Sequence, residues 1–199
     1  MFEVAEYIGV IAFAISGFFV AVRSRLDFLG VLVSVFLTAF GGGVIRDVIV
    51  GRTPYAFSSD TPAVMIVGVM TVMLLMRLHH RDTIENRPLF IVSDSIGLIS
   101  FSITGALIAL ESHLNLTGVL ALAFVTAVGG GISRDVIINE VPFVFKTGFY
   151  GTVSLLVGLL IYLLSLYAEV NYVTLGIVFL FGVALRIVAY YRKWSVPLL

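Results

Sequence analysis

The chain has 199 residues, 60% of them hydrophobic and only 12% charged, with twelve basic and twelve acidic side chains in formal balance. A water-soluble domain carries about a quarter charged residues, so this composition points to lipid. Zero net charge argues against a nucleic-acid partner, which selects a strong basic excess, and the absence of cysteine removes disulfides and thiolate chemistry.

A transmembrane helix takes about 17 to 25 mainly apolar residues. The first such segment, 5–22, contains VIAFAISGFFVAV and follows an acidic flank, Glu3 and Glu6. No small-residue cleavage site stands out, so it reads as a retained span and not as a signal peptide. The second, 28–50, carries GGGVIRDVI and is followed by Pro54. The third, 62–77, is the shortest, and a polar loop after it holds His79 and His80, read as solvated histidines and not as zinc ligands; His113 is far away in sequence. The fourth is 90–110, and the fifth, 116–138, carries GGGISRDVI before Pro142. The sixth and seventh are 149–167 and 172–190. Arg186 lies about one turn from the end of the seventh span. It is read as snorkelling to head groups, with a gating or voltage role as the alternative. The tail Tyr190-Tyr191-Arg192-Lys193-Trp194 has the make-up of an aromatic and basic interface anchor.

Loop charge gives a sidedness. The regions after spans one, three, five and seven hold Arg23, Arg25, Arg77, Arg81, Arg87, Lys146, Arg192 and Lys193, whereas the other side has Arg52 and little else basic. The positive-inside rule puts the first group in the cytoplasm. The N-terminus is then outside and the C-terminus inside.

A shift of 88 residues superposes the two polar motifs. Gly41, Gly42 and Gly43 fall on Gly129, Gly130 and Gly131. Arg46 falls on Arg134, Asp47 on Asp135, Pro54 on Pro142, Thr38 on Thr126 and Glu6 on Asp94. Three spans per copy reverse the second copy in the membrane. The expected fold is all-α, with seven transmembrane helices: inverted three-helix repeats at 1–88 and 89–171, then a seventh helix and tail at 172–199. Inverted repeats bring equivalent broken elements to a central site from opposite sides.

Three consecutive glycines cost about 2 to 3 kcal/mol of helix propensity relative to alanine. Freed carbonyls at membrane depth must face protein or a wet cavity. The triplets are therefore read as kinks at a polar lumen, with close helix packing as the competing reading. Thr38 and Thr126 sit one turn before Gly42 and Gly130, on the glycine face, although either hydroxyl could bond its own helix. Ser16 and Thr104 are further candidate hydroxyls. Adjacent Arg-Asp residues point about 100° apart on a helix and are not expected to form a self-contained bridge. The depth of each span suggests Glu6 with Arg46 at the outer end and Asp94 with Arg134 at the inner end. Alternatively, Asp47 and Asp135 cap neighbouring broken helices.

Nothing in the sequence assembles an enzyme: Gly41–Gly43 lacks the lysine and hydroxyl of a phosphate loop, and no cofactor is called for. A channel, a small-solute transporter and a structural membrane protein stay open. A channel requires a continuous wet path, a transporter a closed central pocket, and a structural protein dry packing at both triplets.

With both glycine motifs and their prolines in view, the chain resembles prokaryotic members of the trimeric intracellular cation (TRIC) channel family. It is also similar to bacterial membrane proteins built on a duplicated glycine-transporter domain. The resemblance covers nearly the whole chain. It implies seven helices, a homotrimer among membrane lipids, and an hourglass-like pore in each subunit conducting potassium and sodium, with helices two and five kinked at their glycines. Val44-Ile45-Arg46-Asp47 stand where the animal branch has a lysine-containing lipid signature, so phosphoinositide dependence does not carry over. Among the open readings the resemblance ranks the channel first and a glycine transporter second.

Overall fold

The computed structural model describes residues 2–76, 88–146 and 149–194. His79, His80, Arg77, Arg81 and Arg87 lie outside the described residues. Among the described residues the ordered elements are helices α1 (Phe2–Arg23), α2 (Phe28–Ile49), α3 (Tyr55–Ser58), α4 (Thr61–Leu75), α5 (Pro88–Glu111), α6 (Leu116–Ile137), α7 (Phe143–Lys146), α8 (Tyr150–Tyr167) and α9 (Tyr172–Tyr191). Six of them, α1, α2, α5, α6, α8 and α9, are long and apolar enough to cross a membrane. The shorter apolar helix α4 has 15 residues. The molecule is an all-α, multi-pass membrane protein, and large apolar side chains such as Val64, Leu75, Val173 and Leu180 stay exposed on its outside, as contact with lipid tails requires.

Four helices make the centre. α1 packs on α5, α2 on α6, and the two pairs on each other, while α4 lies against α1, α8 against α5 and α6, and α9 against α5 and α8. Both central pairs are antiparallel. Gly9 meets Ser100 and Phe101 while Gly97 meets Phe13; Gly42 meets Thr126 while Thr38 meets Gly130. A two-fold that exchanges α1 with α5 and α2 with α6 therefore inverts one copy relative to the other. A Cβ on Gly97 would stand 2.1 Å from the Phe13 ring, so only glycine lets α5 lie this close to α1.

The 88-residue equivalence extends to local chemistry. Asp27 caps α2 by accepting from the Gly30 amide at 2.7 Å, and Asn115 caps α6 from Gly118 at 2.9 Å. The residues two before each cap, Arg25 and His113, both have positive φ, 53° and 56°. The chain makes the same sharp turn twice because, in each copy, a residue in left-handed conformation stands two before a capping side-chain oxygen. Helices α3 and α7 begin just after Pro54 and Pro142. Each is one turn long, with too few residues to carry a periodic signal.

Candidate functional site

Helices α2 and α6 run as single helices through their glycine triplets. At their crossing, a Cβ on Gly42 would fall 2.0 Å from the Thr126 carbonyl oxygen, and one on Gly130 would fall 2.4 Å from the Thr38 carbonyl oxygen. Gly41 and Gly129 face the Cα atoms of Gly130 and Gly42 at 3.0 and 3.2 Å from their would-be Cβ positions. Two residues of each triplet thus let two backbones touch, the packing use of small residues in membranes. The third is looser: nearest to Gly43 is Glu6 Oε1 at 3.5 Å, and nearest to Gly131 is Arg134 Nη2 at 3.9 Å. The hydroxyls of Thr38 and Thr126 each donate to the carbonyl four residues back, Ser34 and Leu122, at 2.6 Å. This local bonding competes with the lumen role weighed for them. Thr104 likewise donates to the Phe101 carbonyl, at 3.2 Å.

At the α2 end, Arg46 holds Glu6 through two bonds, Nη1 to Oε2 at 2.7 Å and Nη2 to Oε1 at 3.2 Å. Its Nε also donates to Asp47 Oδ1 at 2.8 Å. The adjacent Arg-Asp pair bonds after all, because the long arginine stem folds back and brings Nε across the 100° between the two positions. The other Asp47 oxygen accepts from the Tyr55 amide at 3.1 Å and starts α3. Asp47 thus serves the one-turn helix that follows its own, and not a neighbouring broken helix. Above the cluster opens a cavity of about 220 Å³, bounded by Glu3, Glu6, Arg46, Asp47, Arg52 and Tyr55 among others.

At the α6 end the framework repeats with one difference. Arg134 binds Asp135 through Nε at 2.8 Å and Nη2 at 2.7 Å, and Asp135 accepts from the Phe143 amide at 2.8 Å. Asp94, expected on Arg134, forms no ion pair with it. It accepts from Ser16 Oγ at 3.1 Å and borders the same small space as Tyr150 and Arg134. Aspartate is one methylene shorter than the Glu6 it replaces, and Ser16 and Tyr150 engage it from α1 and α8. Arg134 Nη1 turns instead to Thr38 Oγ1 of the first repeat, at 3.4 Å.

Arg186 does not snorkel. Only 1% exposed, it lies with its guanidinium carbon 4.8 Å from the Tyr150 ring centroid and 5.7 Å from that of Tyr190. Its Nε has no hydrogen-bond partner. The packing of α9 on α5 and α8 turns Arg186 inward, and the aromatic faces supply cation–π contact in place of water. A second cavity, of about 200 Å³, is bounded by Arg23, Arg134, Asp135, Glu140, Lys146 and Tyr190 among others. Deeper in, Phe13, Thr38, Asp94, Gly131, Arg134 and Tyr150 border a space of only about 10 Å³, room for about one water.

The sequence reading missed two bridges between the repeats. Arg23 at the end of α1 pairs with Glu140, which follows α6, and Glu111 at the end of α5 pairs with Arg52, which follows α2, at 3.1 Å. The 88-residue shift places Arg23 on Glu111 and Arg52 on Glu140, so the two bridges are equivalent with their charges exchanged. That exchange was the available signal. Among the described residues no group of three or more metal-ligating side chains occurs.

The glycine transporter family model matches residues 3–78 and 91–165, one copy on each repeat. The UPF0126 membrane protein YvgT of Bacillus subtilis is 34% identical, over 98% of this chain and 95% of its own length. A structure solved to explain conductance through TRIC cation channels superposes with a TM-score of 0.85 at 34% identity, covering 100% of this chain and 97% of that one. The chain belongs to the TRIC and UPF0126 family. The TRIC trimeric intracellular cation channel orthologue from Rhodobacter sphaeroides superposes with a TM-score of 0.86 at 26% identity, over 97% of this chain and 98% of its own. Membership of this family makes the chain a bacterial multi-pass membrane protein, placed among transport proteins and not among enzymes.

Proposed function

We propose that the protein is a monovalent cation channel, passing potassium and sodium through a pore in each subunit of a homotrimer. The observation that carries this reading is the pair of polar cavities at opposite ends of the α2–α6 crossing, with a water-sized space adjoining the second. Two wide, charged mouths, the second narrowing to a water-sized neck, suit a pore that strips and restores ion hydration over a short length. The similarity to solved TRIC channels supports the permeant class and the trimer.

In this reading α4 completes a seventh span, and the repeats divide at 1–88 and 89–171 with 172–199 following. The N-terminus lies outside and the C-terminus in the cytoplasm. Gly42 and Gly130 are the pivots at which α2 and α6 bend when the neck widens. Thr38, Asp94 and Arg134 border the neck, and the Arg46–Glu6 pair holds the opposite mouth in shape. Asp47 and Asp135 fix α3 and α7 as the rims, while Arg186 acts as a charge behind the neck. Lipid covers the apolar outside.

Reconstitution of the purified protein tests this. Unitary potassium currents without saturable uptake of radiolabelled glycine are expected. A second reading, a glycine transporter, is favoured by the match to the glycine transporter model and by the tight backbone contact at the α2–α6 crossing; saturable uptake without unitary currents would establish it instead.

A further inference from the structure

The two mouths share a matched charged framework. Glu6, Arg46 and Asp47 at one end correspond to Asp94, Arg134 and Asp135 at the other, and each end carries one cross-repeat bridge, Arg52–Glu111 or Arg23–Glu140. Framework and bridge leave the same net charge, a single negative, at both ends.

Among the described residues, three charged side chains in or behind the two cavities have no charged equivalent. Glu3 borders the first cavity, and its equivalent at the other end is the apolar Ile91. Lys146 borders the second cavity, and its equivalent in the first is Ser58. Arg186 enters behind the second cavity from α9, which lies outside the repeat, and has no equivalent. The first mouth therefore becomes more negative and the second becomes net positive.

We infer that Glu3, Lys146 and Arg186 make this pore an asymmetric conductor, admitting cations more readily from the Glu3 mouth than from the Lys146 mouth. The inference rests on the channel reading above. The physical reason is supply: an ion must first gather in the vestibule it enters from. One net unit charge acting over vestibule distances in water changes the local monovalent cation concentration by roughly twofold. The effect fades with salt, because the screening length falls from about 10 Å at 0.1 M to about 3 Å at 1 M. Glu3 is exposed, and Lys146 has a half-exposed side chain with only a 3.9 Å contact to Glu140, so both can be altered without unpicking the core.

The test is the single-channel current–voltage curve of the full-length protein in symmetric potassium chloride. At about 0.1 M salt the curve is expected to rectify by twofold or more, and at about 1 M to approach linearity. Lys146→Glu should raise the smaller branch, and Glu3→Lys should lower the larger one, so each variant flattens the curve from the opposite side. A linear wild-type curve at low salt, or rectification that neither variant moves, overturns the inference and leaves the channel standing. Absence of unitary currents from the wild type removes the channel reading and this inference together.

Discussion

Arg46 and Glu6, forty residues apart in sequence, meet through two parallel hydrogen bonds of 2.7 and 3.2 Å, with only 2% and 6% of either residue exposed. Bidentate pairing of this kind fixes both distance and angle. Breaking a buried pair leaves a charge without its partner, at a cost of about 3 to 5 kcal/mol. Arg46 keeps its bond to Asp47, so Glu6→Leu should lower stability by up to that amount in detergent unfolding experiments. The double variant Glu6→Leu with Arg46→Leu should lose markedly less than the sum of the single losses, because the residues act as one unit. Strict additivity would mean that the contact contributes little to holding α1 against α2.

The glycine triplets predict a contrast inside one motif. In Gly130→Ala the new methyl would meet two backbone carbonyl oxygens, of Thr38 at 2.4 Å and Leu37 at 2.8 Å. Backbone cannot rotate aside as a side chain can, so α2 and α6 must part, costing about 1 to 3 kcal/mol. In Gly131→Ala the nearest neighbour would be Arg134 Nη2 at 3.9 Å, an ordinary contact, and the gain in helix propensity is up to about 1 kcal/mol. Thermal unfolding should separate the two variants in that order. Conductance should change in Gly130→Ala and, by symmetry, in Gly42→Ala; equal behaviour of Gly130→Ala and Gly131→Ala would discredit the crossing as the sensitive point.

Glu140 gives a pH dependence outside the membrane-spanning helices. The hydrogen bond from Arg23 holds its carboxyl below the ordinary glutamate value, with the Arg23 and Lys146 charges and Ser24 adding to this and partial burial opposing it. A lowered folded value means that the bridge contributes stability above the unfolded glutamate value and loses it as pH falls through the folded one. The pair is partly exposed, so its contribution near neutrality is at most about 1 kcal/mol. Glu140→Gln should be slightly less stable than wild type at pH 7, and the difference should vanish in acid below the usual carboxylate range. A difference that grows on acidification would contradict the assignment.

Much of this was legible in the sequence. Hydropathy marked seven apolar segments, and the single 88-residue register, carried by GGGVIRDVI and GGGISRDVI, implied inversion because three spans separate the copies. Depth and symmetry were enough to pair Glu6 with Arg46. The same logic failed for Asp94 and Arg134, since symmetry transfers position but not reach, and one missing methylene let Ser16 and Tyr150 engage the carboxylate instead.

The sequence by itself determined that the chain crosses a membrane, that it is a duplicated and inverted unit, and which charges that unit carries, because apolar length and internal repetition are properties of the chain order. Only the tertiary structure decided which glycines touch, that Thr38 lies within reach of Arg134, and that Arg186 faces Tyr150 and not lipid. In a membrane helix both the buried and the lipid-facing sides are apolar, so periodicity does not say which way α9 turns. That orientation comes from packing against α5 and α8.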